Sequence, residues 1–312
     1  MILPDFILPT RQNQIWTESG IDSLDRCLDK KHFKSYPYPI EYRYNSRGYR
    51  DAEWPEDVSE LENAIWCFGD SFTVGIGSPV EHTWAHLLQQ HTNRRVINIS
   101  MDGASNNWIS RKAVDLLELI QPKTIILHWS YLHRREASLS AAINNQQPGK
   151  SGPVTDSERS LWTDESWHAP VLNTVGDVND INNFFQCVQR VDNAASAGTQ
   201  IIHSIIPNFS RVTQAEMLTI WNDLRGPDWP VVPPKTNDEF AALSDLLQAE
   251  LIQFGSYNDF KDHVNLYDYY NKLQYNVPEF SRLDLGRDGH HYDKITATSF
   301  VEKLLDLIAL PH

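Results

Sequence analysis

A serine, a carboxylate and an imidazole are spaced along this sequence so that one reaction can use all three. Ser71 lies in residues 67–77, CFGDSFTVGIG, directly after a short apolar run. Gly69 lets the chain leave that run sharply and sets Ser71 at the carboxyl end of a strand, the edge where open α/β sheets bind ligands. A serine hydroxyl is a weak nucleophile until a base takes its proton, and that base needs an orienting partner. Residues 285–293, LGRDGHHYD, offer both. Asp288 and His291 stand three apart across a glycine-containing turn, so the carboxylate can reach one imidazole nitrogen while the other faces outward. His290 is a second candidate base, preferred only if the turn carries it inward. Such a set performs nucleophilic acyl transfer. A glycine-rich phosphate loop is the competing reading of 67–77. It fails because no Gly-Lys-Ser/Thr follows and the spacing is not GxGxxG.

These residues need a scaffold, and the pattern from about residue 64 onward supplies one. Apolar runs at 63–69, 95–101, 123–129 and 200–207 read as buried strands. Helical patterns at 82–91, 105–120 and 178–196 separate them, which implies βαβ crossovers and a parallel sheet. In the helix at 105–120, Ile109, Ala113, Leu116, Leu117 and Ile120 share one face, and Gln121-Pro122 stops it. A last helix at about 292–308 is expected to bury Ile295, Phe300, Val301, Leu304 and Leu305. Two long polar interruptions, at about 131–176 and 208–262, exceed what a minimal sheet needs. They read as insertions, either substrate-facing lids or, for the second, helices that extend the core. Residues 1–60 are rich in aromatics, charges and prolines and lack a clear period. They read as an extended, loop-rich segment packed on a core formed by 61–312, not as an independent domain.

Composition narrows the partners. The 312 residues carry 27 basic and 41 acidic side chains, a formal charge of −14. Such a surface repels phosphate backbones and anionic headgroups, so neither nucleic acid nor a membrane is expected as partner. No stretch reaches the roughly 20 continuous apolar residues that span a bilayer. The opening MILPDFILPTRQNQIW lacks a basic region, an apolar core and a cleavage site, so a cytoplasmic protein is expected, with a virion particle as the other setting. Cys27, Cys67 and Cys187 are few and widely spaced, and they read as buried, reduced thiols. His128, His133, His290 and His291 follow no recognised ligand spacing, so neither metal nor cofactor is expected. Arg134-Arg135-Glu136 reads as a solvated charge run. Trp108, Trp129, Trp162 and Trp167 fall near the presumed site loops, where their faces suit sugar rings, although buried packing is the commoner use of tryptophan.

Taken in order, three short blocks resemble the SGNH (GDSL-like) hydrolases, in particular bacterial and phage members. FGDSFTVGIG looks like the first block, whose Gly-Asp-Ser carries the nucleophile. The glycine of INISMDGASNN (97–107) is similar to the second block's, and DGHH (288–291) matches the last, DxxH. The lead-in YRYNSRGYRD (43–52) also resembles that of many relatives. The likeness spans the order of elements from about residue 43 to the C-terminus. It implies a three-layer α/β/α, flavodoxin-like fold with a central parallel sheet, here with an N-terminal extension and the two insertions. It also implies Ser71 as nucleophile, His291 as base, Asp288 as its orienting acid, and an oxyanion hole built on the N–H groups of Ser71 and Gly103.

One block departs from the family. The third strand normally leads into GxND, whose Asn is a third oxyanion donor. Here it leads into HWSYLHRRE (128–136), which has no Asn. Ser130 stands about where that Asn would be, and Asn106 or Asn107 is the other substitute. Losing one such donor typically costs about 10²–10³ in rate. The activity the resemblance implies is ester hydrolysis, most simply removal of acetyl or other small acyl groups from a glycan or small ester. An O-acyltransferase would share the triad. A non-catalytic or weakly catalytic binding or virion-associated protein on the same fold is the reading that the missing Asn favours. Asp70 is expected to tie down the loop and not to react.

Overall fold

The computed structural model describes residues 3, 6–27, 29–130, 174–206, 280 and 282–308. The insertions expected at about 131–176 and 208–262 lie almost wholly outside the described residues, as do His133, Arg134, Arg135, Glu136, Trp162 and Trp167.

Four strands form the central sheet: β3 (Ile65–Gly69), β4 (Val96–Ser100), β5 (Thr124–Trp129) and β6 (Gln200–Ile205). All pair in parallel, in the order β4-β3-β5-β6. Every residue of β3, β4 and β5 is buried. This explains their continuous apolar runs, because a parallel strand is covered on both faces and gains nothing from polar alternation.

One face carries α5 (Asn106–Leu119) and α6 (Thr174–Ala194). Trp66, Phe68, Ile97, Ile99, Ile125 and Leu127 point to that side and pack with Trp108, Ile109, Ala113 and Leu116 of α5 and Val188 and Val191 of α6. The other face carries α4 (Trp84–Thr92) and α7 (Lys294–Leu307). There Ile65, Cys67, Val96, Ile126 and Ile202 meet Trp84, Leu88, Phe300, Val301 and Leu304. Helices on both faces of a parallel sheet make a three-layer α/β/α fold. The predicted apolar face of α5 is buried as expected. Two residues depart from the expectation for α7: Leu305 is only partly buried, and Ile295 is 60% exposed. The buried stripe of that helix runs through Ala297, Phe300, Val301, Leu304 and the C-capping Ile308, and at 3.6 residues per turn position 295 falls off that face.

Residues before β3 wrap the core with little regular structure. They hold α1 (Lys30–Ser35), α2 (Val58–Asn63) and a two-residue antiparallel pair, β1 (Ile15–Trp16) with β2 (Tyr42–Arg43). Leu3, Phe6, Leu8, Tyr49 and Trp54 join the core beneath α5. Ile40, Tyr42 and Tyr44 form a smaller cluster with Val74 and Ile76, just past the predicted nucleophile. Cys27, Cys67 and Cys187 are all buried and unpaired with one another. Among the described residues, no helix is long and apolar enough to cross a membrane.

Candidate active site

The parallel register brings the site loops to one edge of the sheet. Gly69, at the end of β3, pairs with Ser100 of β4 on one side and His128 of β5 on the other. Ser71, Gly103 and Ser130 follow those strand ends within three residues, so their loops emerge side by side. Gly69 could carry no side chain: a Cβ would meet Thr73 Oγ1 at 2.0 Å and the His128 carbonyl at 3.1 Å.

Ser71 is the first residue of a single helical turn, α3 (Ser71–Val74). Asp70 caps that turn, its Oδ1 accepting from the Phe72 N–H at 3.0 Å. The turn closes on Gly75, in the left-handed region at φ 74°. As the first residue of a helical turn, Ser71 has a backbone N–H with no acceptor inside the helix. The Gly103 N–H, in the loop after β4 at φ 76°, finds no acceptor among the described residues. Two such donors on adjacent loops are the ingredients of an oxyanion hole.

The loop before α7 folds back on itself, Gly286 N–H donating to the His291 carbonyl at 2.7 Å. Asp284 fastens it, accepting from the Ile295 and Thr296 N–H groups at 2.7 and 3.0 Å. Asp293, at the N-cap position of α7, is turned away to His82 (2.8 Å) and the Tyr36 hydroxyl (2.5 Å). Inside this loop Asp288 Oδ2 meets His291 Nδ1 at 2.5 Å. Asp288 Oδ1 accepts from the N–H groups of His290 and His291 at 2.9 and 3.0 Å. Burial raises the Asp288 carboxyl, but the imidazole beside it and these N–H donors outweigh burial and hold it below the ordinary carboxylate range. Asp288 therefore stays ionised and fixes the imidazole with Nε2 outward, the division of roles in a catalytic triad.

Between the two halves lies Phe72, whose ring centroid is 4.5 Å from that of His291 and 5.7 Å from that of His290. Of the two histidines, the turn pairs His291 with Asp288, and His291 is also the more buried. Ser71 Oγ and His291 Nε2 are both buried without a hydrogen-bond partner, and no hydrogen bond joins them in this structure. Such bonds are often long without substrate and tighten in the Michaelis complex. Leaving a buried polar atom unpaired costs about 1–3 kcal/mol. Two such atoms, one a hydroxyl and one the distal nitrogen of an acid-paired imidazole, are what a site poised for proton transfer would leave open.

The side chains expected as a third oxyanion donor are occupied otherwise. Ser130 Oγ donates to Asp70 Oδ2 at 2.7 Å, so its hydrogen is given to a carboxylate and not offered to a substrate oxygen. The Asn106 side chain clasps the Ser130 backbone, accepting from its N–H at 2.8 Å and donating to its carbonyl at 3.2 Å. Asn107 pairs with Asn183 of α6. Sequence reasoning put Ser130 and Asn106 forward as donors from their place after the strand ends. It could not see that Asp70, the more strongly accepting neighbour, takes the hydroxyl.

His128 is a core residue, not a ligand. Burial alone depresses its pKa to about 3, and its Nδ1 meets Ser204 Oγ at 2.9 Å. Trp129 stacks on His203 with an interplanar angle of 8° and donates to its Nδ1. Trp108 is fully buried, so neither tryptophan offers a face to a sugar. Among the described residues no group of three or more His, Cys, Asp or Glu could hold a metal ion. A cavity of about 760 Å³ lined by Arg50, Asp51, Thr83, His86, Arg95 and Asn98 lies apart from Ser71, Asp288 and His291.

No protein-family model matches the sequence, and no curated protein matches it. Solved structures do. A member of the lipolytic G-D-S-L family from Veillonella parvula DSM 2008 is similar over 78% of this chain and 97% of its own, at 12% identity and a TM-score of 0.39. A family two carbohydrate esterase from Clostridium thermocellum, solved with cellohexaose, is similar over 82% of this chain and 66% of its own, at 12% identity and a TM-score of 0.38. A family 2 carbohydrate esterase with a carbohydrate-binding domain from Corynascus thermopiles gives the same coverages, identity and TM-score.

Proposed function

We propose that this chain is a serine ester hydrolase that works through an acyl-enzyme and removes acetyl or other small acyl groups from a glycan or small ester. The observation that carries the reading is the Asp288–His291 pair, whose distal nitrogen is left unengaged in the same buried site as the unengaged Ser71 hydroxyl. In the first step Ser71 Oγ attacks the ester carbonyl carbon while His291 Nε2 takes its proton. The carbonyl oxygen becomes an oxyanion held by the Ser71 and Gly103 N–H groups. Collapse breaks the bond to the alkoxide, which leaves with the proton from His291. Water then repeats the sequence on the acyl-enzyme and releases the acid. Asp288 orients the imidazole and balances its charge throughout.

The engaged hydroxyl of Ser130 favours a second reading, a weakly catalytic or binding protein on the same scaffold, because the third donor is spent. An O-acyltransferase would use the same first step and pass the acyl group to an alcohol. Hydrolysis of p-nitrophenyl acetate and butyrate by wild type and Ser71→Ala separates these. Loss of turnover in the variant supports the hydrolase, and ester formation with added oligosaccharide in place of free acid supports the transferase. Equal rates in two folded proteins, with no labelling of Ser71 by a fluorophosphonate, would sink both.

A further inference from the structure

The residues ahead of the sheet reach into the site in a way the acyl-transfer reading does not use. Asp22 is fully buried. Its carboxylate accepts from Arg287 twice, Nε at 2.9 Å and Nη2 at 2.7 Å, and from the Tyr42 hydroxyl at 2.5 Å. The Tyr42 oxygen in turn accepts the Gly77 N–H at 2.8 Å, and the Gly77 carbonyl accepts the Arg287 N–H at 2.7 Å. The four residues close a ring. Its members come from the N-terminal segment, the turn after the nucleophile and the position directly before Asp288.

This ring spans the two halves of the triad. On one side, Gly75 and Ile76 N–H groups both donate to the Ser71 carbonyl, so a shift of Gly77 is passed to the nucleophile's turn. On the other, Gly77 lies against the Asp288 carboxylate so closely that a Cβ there would come within 2.9 Å of Oδ1. Arg50 braces the same turn from behind, donating to the carbonyls of Val74, Gly75 and Ser78. A Cβ on Gly20 would strike Asp102, so the same segment also touches the loop that carries Gly103. Burial and the adjacent carboxylate hold the Tyr42 phenol far above its ordinary pKa, and Asp22 outweighs burial in raising that of Arg287. Tyr42 and Arg287 thus keep their protons, and their roles as donors, near neutral pH.

We propose that Asp22 and Tyr42 are positioning residues for catalysis: the ring Gly77–Tyr42–Asp22–Arg287 sets the separation between Ser71 and the Asp288–His291 pair. The proposal rests on the serine-hydrolase reading for its activity readout and on geometry alone for the rest. A bidentate arginine–carboxylate pair is the rigid link such a task needs, because its planar fork fixes direction as well as distance. The His291 ring meets Asp288 and, through ring contacts, Phe72 at 4.5 Å and His290 at 4.9 Å, while Arg282 lies 5.2 Å over Phe72. None of these belongs to the ring, so altering the ring removes no partner of the imidazole and acts on it only by shifting them.

The test compares wild type, Tyr42→Phe and Asp22→Asn in the full chain. Tyr42→Phe keeps the packed ring and removes only the hydroxyl, so it guards against a fold lost in Asp22→Asn. Two readouts are taken on proteins with cooperative thermal melts: kcat and KM on p-nitrophenyl acetate, and the downfield proton resonance of the His291 Nδ1–H bonded to Asp288. We expect kcat to fall at least tenfold with KM nearly unchanged, and the resonance to move upfield and broaden. Wild-type values of kcat and of the resonance in both folded variants would overturn the positioning role. A wild type without turnover whose resonance still changes in the variants would sink the hydrolase reading and leave the positioning role standing.

Discussion

The Ser130 hydroxyl donates to Asp70 Oδ2 at 2.7 Å, tying the end of β5 to the residue that precedes Ser71. Asp70 spends its other oxygen capping the turn that carries Ser71. On the proposed reading, Ser130 would act on the reaction through Asp70 and not by touching the substrate oxygen. Ser130→Ala is expected to lower kcat by less than about tenfold. An oxyanion donor would be worth about 10²–10³. Steady-state kinetics on p-nitrophenyl acetate decides, and a loss in the larger range would return Ser130 to the oxyanion hole.

Gly77 combines a left-handed backbone, φ 79°, with contact against Asp288. Gly77→Ala meets both obstacles at once. A non-glycine residue held in that conformation costs about 1–2 kcal/mol, and the new methyl must also displace the carboxylate. Urea unfolding should show a loss of about 1–3 kcal/mol, and kcat should fall by more than the stability change alone would cause. Wild-type kcat in a folded Gly77→Ala protein would show that Asp288 tolerates displacement.

The two adjacent histidines should separate cleanly. His291→Gln is expected to reduce kcat by at least about 10⁴-fold, as loss of a triad base does. His290→Gln should change it by less than about tenfold, since His290 is only partly buried and its ring meets Phe72 at 5.7 Å. The reverse order would mean that substrate binding swings the turn and exchanges their places.

His128 gives the fold a pH dependence of known sign. Its folded pKa, near 3, lies below the unfolded value of about 6.5, so the unfolded chain binds the proton first. The associated stability is complete above about pH 6.5 and is lost as pH falls toward 3, at up to about 1.4 kcal/mol per unit. Asp288, with its pKa depressed, contributes in a lower window, below the unfolded carboxylate value of about 3.9. Urea unfolding of wild type and His128→Gln at pH 7 and pH 5 isolates the histidine. The variant should be less stable at pH 7 and should lose less between the two, and parallel losses would contradict the assignment.

Much of the scaffold was legible because a buried parallel strand writes itself as a continuous apolar run. Residues 63–69, 95–101 and 123–129 each hold their strand to within two residues at either end. The Asp288–His291 contact was legible for a different reason: a carboxylate and an imidazole three residues apart across a turn satisfy a local geometric rule. Ile295 was misread because a lone apolar residue in a helix's first turn, here between Lys294 and Thr296, does not say which face will turn inward. The Asp22–Arg287 pairing was invisible, since nothing local marks a carboxylate whose partner lies 265 residues away. Ser130 shows the remaining gap. Its position was readable from the strand end, but the direction of its hydroxyl depended on a neighbour brought there by the fold.

That span of 265 residues between Asp22 and Arg287 also bears on when the protein becomes competent. During translation Ser71 leaves the ribosome long before Asp288 and His291 exist. At about 5–20 residues per second the interval is on the order of tens of seconds. On the proposed hydrolase reading, a nascent chain carries Ser71 without the base that would arm it. The Asp22–Arg287 pair can close only once residue 287 has been made and has docked against the segment that carries Asp22.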